Sequence, residues 1–335
     1  MSFTIHPWSE LAQRYDGTIL LGNGASIAVS PRFAYGSLLE HVTQRQSLAD
    51  DARRLFDFFK TEDFELILRI VWQASNVNKS LEIEDVRTHE AYLRIRECLI
   101  QAVRDVHPEH NEINEHLPHT YNFLKQFDTV ISLNYDLIVY WTMTYGLDIQ
   151  DRHKFKDCFL SGGIFAEDWQ RLRSPYDEQS STLVFYPHGS LVLCRNRVEQ
   201  ERKIHIRGSG LLASILERWQ SEDVVPLFVS EGTHEQKVNS IQNSTYLSTV
   251  YREILTEQCE SLVIFGWGMG EHDVHLLKRM ARTGIRRVAV SVFRGDLAYC
   301  TRVNQLIRDN LGQDICIEFF DSESPGCWNK PQENQ

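Results

Sequence analysis

Seven short runs of β-branched and aromatic residues punctuate the chain: Thr18–Leu21, Thr129–Leu133, Thr182–Tyr186, Val224–Val229, Leu262–Phe265, Val288–Phe293 and Ile315–Phe320. Most are unbroken rather than alternating, the pattern of strands buried on both faces of a parallel sheet. From residue 209 onward they alternate with segments that carry apolar residues at three- and four-residue spacing: Leu211–Gln220, Glu235–Gln258, Asp273–Thr283 and Asp296–Asn310. Strand and helix in alternation predict an α/β fold, an open and mainly parallel sheet with helices on both faces.

The pattern changes between residues 40 and 126. Phe64, Ile67, Leu68, Val71 and Trp72 fall on one helical face, and Tyr92, Ile95, Leu99, Ala102 and Val103 repeat the spacing in a second helix. No strand is predicted here, so the stretch reads as a mostly helical insertion after the first strand, within a single domain spanning 1–335.

Composition narrows the partners. Lys and Arg number 35 against 46 Asp and Glu, a formal charge of −11, which argues against a nucleic-acid or anionic-membrane surface. The apolar runs are too short to span a bilayer, and the N-terminus lacks the regions of a signal peptide, so a cytoplasmic protein is expected. Seven cysteines, spread without a C-x-x-C pair, fit reduced thiols better than a zinc ribbon or a disulfide framework. Cys316, in an apolar run, reads as a small buried hydrophobe.

Glycine and polar residues gather where the strands end. The first run closes in Leu21-Gly22-Asn23-Gly24-Ala25-Ser26. Glycines two apart after a buried strand let a phosphate approach the N–H groups of the next helix start, although a plain strand-to-helix turn uses the same residues. Ser26 falls where a cap or a phosphate-contacting hydroxyl would sit. The second run ends in Asn134-Tyr135-Asp136: an amide able to donate and accept at once, and a carboxylate that either faces a ligand or caps the next helix. The third ends in Tyr186-Pro187-His188-Gly189, where Pro and Gly position an imidazole, the side chain suited to proton transfer near neutral pH.

A late turn, Phe265-Gly266-Trp267-Gly268-Met269-Gly270-Glu271-His272-Asp273, repeats the glycine pattern, and two such turns in one sheet suit a ligand with two ends. Another run ends in Val229-Ser230-Glu231, with Lys237 beyond it placed to meet a phosphate or, the reading favoured, to be an ordinary helix-surface lysine. His272 and His275 are three apart but have no third ligand in view, so no metal site is expected. The remaining histidines, His107 among them, read as surface or satisfied core residues.

Taken in order, Gly-x-Gly-Ala-Ser, Asn-x-Asp, His-Gly and the late glycine turn resemble the sirtuin-like NAD-binding superfamily with its Rossmann-like sheet. The segment PLFVSEGTHEQKVNSIQNSTYLS followed by LVIFGWGMGEHD further resembles a bacterial domain-of-unknown-function branch of that superfamily. The resemblance implies NAD as the ligand. It places Gly22, Asn23, Gly24 and Ser26 around the phosphates, Asn134 and Asp136 beside the nicotinamide ribose, and His188 as catalytic base. Gly266 and Gly268 go to the adenosine half, and Gly189, Glu231 and Asp273 also belong to the cofactor-binding set.

Sirtuin deacylases add a four-cysteine zinc ribbon and a Gly-Ile-Pro-Asp-Phe-Arg loop; here the ribbon is missing and the loop reads SIAVSPRFAYGS. What the resemblance then implies is an NAD+ glycohydrolase like those of bacterial antiviral defence, with NAD as substrate and no metal. The alternative is a non-catalytic module that binds NAD or ADP-ribose. An enzyme that depletes NAD needs control, expected from a homo-oligomer or from a separately encoded sensor or regulatory protein. The insertion at 40–126 is the candidate docking surface or lid.

Overall fold

The computed structural model describes residues 3–34, 37–45, 48–174, 180–205, 210–221, 223–229 and 233–332. Among them lie the strands β1 (Ile5–His6), β2 (Thr18–Leu21), β3 (Thr129–Ser132), β4 (His153–Lys156), β5 (Ser180–Phe185), β6 (Gly189–Asn196), β7 (Glu201–Lys203), β8 (Val224–Phe228), β9 (Ser261–Phe265), β10 (Arg287–Val292) and β11 (Cys316–Asp321). Eight of these form one sheet in the order β1-β11-β10-β9-β2-β3-β5-β4. Every pairing in it is parallel.

The unbroken apolar runs are the reason. Every residue of β2, β3 and β9 is buried, as a strand covered on both faces requires. The chain leaves β2 toward β3 on one side, and from β9 it runs through β10 to β11 on the other. Strand order therefore reverses between β2 and β9, and a crevice opens there beyond the carboxyl ends of the strands. Right-handed crossovers running in opposite directions put helices on both faces.

The run at Val224–Val229 departs from expectation. As β8 it leaves the main sheet and pairs antiparallel with β6, in a second sheet ordered β7-β6-β8. Pro226 explains this: a proline has no N–H to give a ladder, so its strand takes an edge, and β8 is an edge. The segments β1, β4, β6 and β7 had no predicted counterpart. β7 and the edge strand β4 are short and rich in charge, and β6 follows the His188 turn so closely that its apolar run merges with it.

Between β2 and β3 the described residues are helical, with principal helices Leu38–Gln44, Asp50–Phe59, Phe64–Ser80, Val86–Val106 and Leu117–Leu124. Asp63 caps the third through the Leu66 N–H at 3.0 Å, and Asp85 caps the fourth through Thr88 at 3.1 Å. The predicted stripe of Phe64, Ile67, Leu68, Val71 and Trp72 is buried. The helix Phe64–Ser80 packs on Val86–Val106 and on β8, and Leu211–Gln220 packs on both β8 and Val86–Val106, so the insertion roofs the small sheet.

One buried carboxylate pins that roof. Glu65 accepts the Phe228 N–H at 2.7 Å, giving β8 a partner on its open edge; burial holds the Glu65 pKa well above the ordinary carboxylate range. Replacing Glu65 by Ala leaves a buried backbone donor without a partner. Denaturant unfolding should show a loss of about 1–3 kcal/mol. Two further expectations are corrected. Glu235–Gln258 is two α-helices, His234–Gln242 and Thr245–Arg252, because Ser244 caps a fresh start through the Leu247 N–H at 3.1 Å. Cys316 opens β11 and is exposed. No helix among the described residues is long and apolar enough to cross a membrane.

Candidate functional site

The two glycine turns meet at the point of reversal. Gly22 N–H donates to the Phe265 carbonyl at 2.9 Å, and Gly24 N–H to the Gly266 carbonyl at 2.7 Å. A side chain on Gly24 would lie 2.7 Å from the Gly266 Cα, and one on Gly22 2.5 Å from the Trp267 Cα. Gly266 has a φ of +66° and faces the Ala25 backbone nitrogen just as closely. These three glycines are therefore required by backbone packing on backbone. Two N–H groups expected to face a phosphate are instead engaged with the facing turn.

A cavity of about 290 Å³ sits above this junction. Gly22, Asn23, Asn134, Asp136, His188, Gly268 and Asp273 line it, so segments far apart in sequence converge. Phe33, Leu133, Tyr135, Lys237 and Trp267 complete much of the wall. Asn23 donates to the Phe33 carbonyl at 3.2 Å, fixing the segment after the helix Asn23–Val29 against the cavity.

Asn134 is held from below. Its amide nitrogen donates to the Gly22 carbonyl at 3.0 Å and to Ser26 Oγ at 2.8 Å. Gly22 O can only accept, so the NH2 must face it, and the amide oxygen is the group left to the cavity. The amide expected both to donate and to accept at a ligand thus has its donors engaged within the protein. Ser26 is buried and does not line the cavity, contrary to the phosphate-contacting role expected of it; its hydroxyl donates to Asp136 Oδ2. Asp136 Oδ1 accepts the Ile138 N–H at 2.9 Å, so both its oxygens are occupied, and burial raises its pKa. Asp136 therefore ties down the first residue of the next helix and holds Ser26, which in turn holds Asn134.

His188 is buried and lines the same cavity. The Leu133 carbonyl lies against its ring and favours the imidazolium, whereas Nε2 has no hydrogen-bond partner and is free to face a ligand. Nε2 lies 4.0 Å from Asp273 Oδ1. Burial is the main cause lowering the His188 pKa to about 4, with Asp273 opposing and Lys237 assisting. Lys237 is not a surface lysine: it is buried and its Nζ pairs with Asp273 Oδ1 at 2.9 Å. The Asp273 pKa is lowered; burial alone would raise it, but His188 and Lys237 outweigh that.

Gly189, expected in the cofactor set, does not line the cavity. With φ at +75° it closes the Tyr186–Gly189 turn (N–H to Tyr186 O, 2.9 Å) and lies against the backbone of Leu227 and Phe228. Its part is to bend the chain so that His188 stays at the end of β5. Glu231 lies outside the described residues. His275, with Asp273 and His188, forms a cluster of three donor groups, whereas exposed His272 takes no part.

A second cavity of about 580 Å³ adjoins the first, and Trp267 and Gly268 line both. Gly24, Gly266, Phe293, Ser291, Asp296 and Tyr299 are among its other walls. Gly24 and Gly266 were expected at a ligand, but Ser291, Phe293, Asp296 and Tyr299 were not. The turn between the cavities is braced by Ser291 Oγ, which accepts the Gly266 N–H at 2.9 Å, and by Tyr299 OH, which donates to Trp267 O at 2.7 Å. Arg302 holds the carbonyls of Gly268 and Met269 at 2.8 and 3.1 Å. Only the polar end of β10, Ser291 through Asp296, signalled such a site.

His107 reaches the same region from the insertion. Its Nδ1 donates to Pro108 O at 2.8 Å and its Nε2 accepts the Leu137 N–H at 3.0 Å, so it must stay neutral. Burial depresses its pKa from 6.5 to about 4. The unfolded chain therefore takes up this proton first, and stability falls as pH drops from 6.5 toward 4. Relative to His107→Gln, the wild type should lose on the order of 3 kcal/mol more across that window in denaturant titrations.

Comparison with known proteins adds the following. Solved Sir2 structures align with the chain at low similarity. One is a study of the mechanism and regulation of Sir2 enzymes, with a TM-score of 0.35 at 11% identity over 85% of this chain and 84% of that one. Another is Sir2 with an inhibitor, 2'-O-acetyl-ADP-ribose and a deacetylated peptide, with a TM-score of 0.35 at 12% identity over the same shares. Likeness at that level is too weak to transfer a function. No curated protein matches the chain. The model of a domain-of-unknown-function family matches residues 19–328, from β2 to beyond β11, and the chain belongs to that family, DUF4917.

Proposed function

We propose that the protein is an NAD+ glycohydrolase, cleaving NAD+ to nicotinamide and ADP-ribose. The observation that carries this reading is the shared cavity of Asn134 and His188 at the switch point, adjoining a second cavity across a common turn. A two-ended ligand fits that layout, with the nicotinamide ribose in the first cavity and the adenosine half in the second. Its pyrophosphate would cross at Trp267 and Gly268.

The chemistry asks little of the protein at the leaving group, because nicotinamide departs neutral from a cation. The C1'–N bond breaks with its electron pair going to the pyridine ring, and the sugar acquires oxocarbenium character. Asn134 Oδ1 and His188 Nε2 are both acceptors. A water donating one hydrogen to each is oriented with a lone pair free for C1'. His188 takes the proton as the C1'–O bond forms. Asp136 positions Asn134 through Ser26, and the Lys237–Asp273 pair sets the charge beside His188.

Purified protein incubated with NAD+ should release nicotinamide and ADP-ribose in equal amounts, read by chromatography. Binding of NAD+ without cleavage, with every candidate activator tried, would instead favour a regulatory module. Because the base must be neutral, kcat/KM should stay level from pH 8 to about 5 and fall on an acid limb near 4. Asp273→Asn, which removes the charge that favours the imidazolium, should move that limb lower still.

NAD depletion suits a defence effector that stays silent until triggered. The insertion exposes Val77, Leu81, Ile83 and Val86 at the tip of its long hairpin, an apolar face for a regulatory partner or a second copy. Loss of cellular NAD only when the protein is expressed together with its trigger would support that role. Constant depletion would count against control.

A further inference from the structure

Three side chains from two distant stretches meet at the edge of the first cavity: His188 and Asp273 line it, and His275 stands behind them. His188, Asp273 and His275 each offer one donor atom, and these lie within 4.8 Å of one another. The two imidazoles are buried and stacked, with ring centroids 6.2 Å apart and planes inclined by 24°. Nε2 of His188 and both ring nitrogens of His275 have no hydrogen-bond partner. Buried ring nitrogens without partners are rare in native proteins. Gathered in one place beside an ionised carboxylate, they present lone pairs and negative charge to a common point.

We propose that His188, Asp273 and His275 form a zinc-binding site whose fourth position opens into the cavity. Two imidazoles and one carboxylate are a donor set suited to Zn2+, and three protein ligands with one open position make an accessible site. Asp273 carries the single negative charge of the set and shares it with the Lys237 ammonium at 2.9 Å. Lys237 is thus a built-in competitor for the ion, and binding is weaker than in a site without it. A bound ion takes Nε2 of His188, the nitrogen that the proposed hydrolysis uses. Zinc therefore acts as an inhibitor of that reaction; this consequence rests on the NAD reading, whereas the binding does not.

The test is zinc titration of the metal-free full chain against a chromophoric chelator, with no NAD present. The wild type should bind one equivalent. His275→Ala and Asp273→Ala should weaken it by more than the roughly 10- to 100-fold that losing an outer-sphere partner costs. His272→Ala, at the exposed neighbour, should leave it unchanged, and Lys237→Met should tighten it. Failure of the wild type to bind zinc, or equal affinity in His275→Ala, overturns the proposal. If His275→Ala is unfolded by circular dichroism, Lys237→Met decides: tighter binding supports the site, unchanged or weaker binding overturns it. A protein that never cleaves NAD+ yet passes this titration refutes the hydrolase reading alone.

Discussion

His188→Ala should lower kcat/KM for NAD+ cleavage by roughly 10²- to 10⁴-fold, the usual weight of a general base. Stability should fall as well, because a buried ring is removed and its contact with the Leu133 carbonyl goes with it. Asn134→Ala should also abolish most activity, but by a different route. It removes one of two donors from the Gly22 carbonyl and the donor to the Ser26 hydroxyl, so stability falls by about 1–2 kcal/mol and the cavity floor loosens. Paired measurements of turnover and chemical denaturation separate lost chemistry from lost stability. If His188→Ala retains full activity, His188 is not the base, even where cleavage itself is confirmed.

Gly266→Ala should cost at least about 2 kcal/mol and empty both cavities of ligand affinity. A Cβ there meets the Ala25 backbone nitrogen, and the φ of +66° is unfavourable for any L-residue. Gly268→Ala is the informative contrast. Its Cβ would meet nothing within 4 Å, so denaturant midpoints should stay near the wild type. Because Gly268 lines both cavities, a selective loss of NAD+ affinity in Gly268→Ala would show that the glycine serves the ligand. Two glycines of one turn, read alike in sequence, are thus separable by what stands opposite them.

How far the chain discloses itself depends on which physical effect writes the pattern. Burial on both faces wrote β2, β3 and β9 as apolar runs, and amphipathic spacing wrote the helices around Phe64 and Tyr92, so all of these are legible. Edge strands such as β4 and β7 carry no such signature. Val224–Val229 was read as a strand but placed in the wrong sheet, although Pro226 held the correction.

At the site, the motifs brought Asn134, Asp136 and His188 to one cavity, yet not their hydrogen bonds. That the Asn134 amide faces Gly22, or that Ser26 turns away from the cavity, depends on contacts across more than a hundred residues. Lys237 and His275 escaped for the same reason. A helix lysine looks like any surface lysine until Asp273 is placed beside it, and Asp273 and His275 gain His188 as a third donor only once β5 and the late turn are folded together.

The seam between β2 and β9 has a bearing on synthesis at the ribosome. Thr18 and Leu262 are Cα partners, and the floor of the cavity consists of turns belonging to those two strands. A nascent chain that has emerged only through the insertion and β8 has Asn134 and His188 in hand but no Gly266, no Trp267 and no Asp273 beneath or beside them. Such a chain has no closed cavity to offer any ligand, and its late, long-range closure is of the kind that makes folding slow.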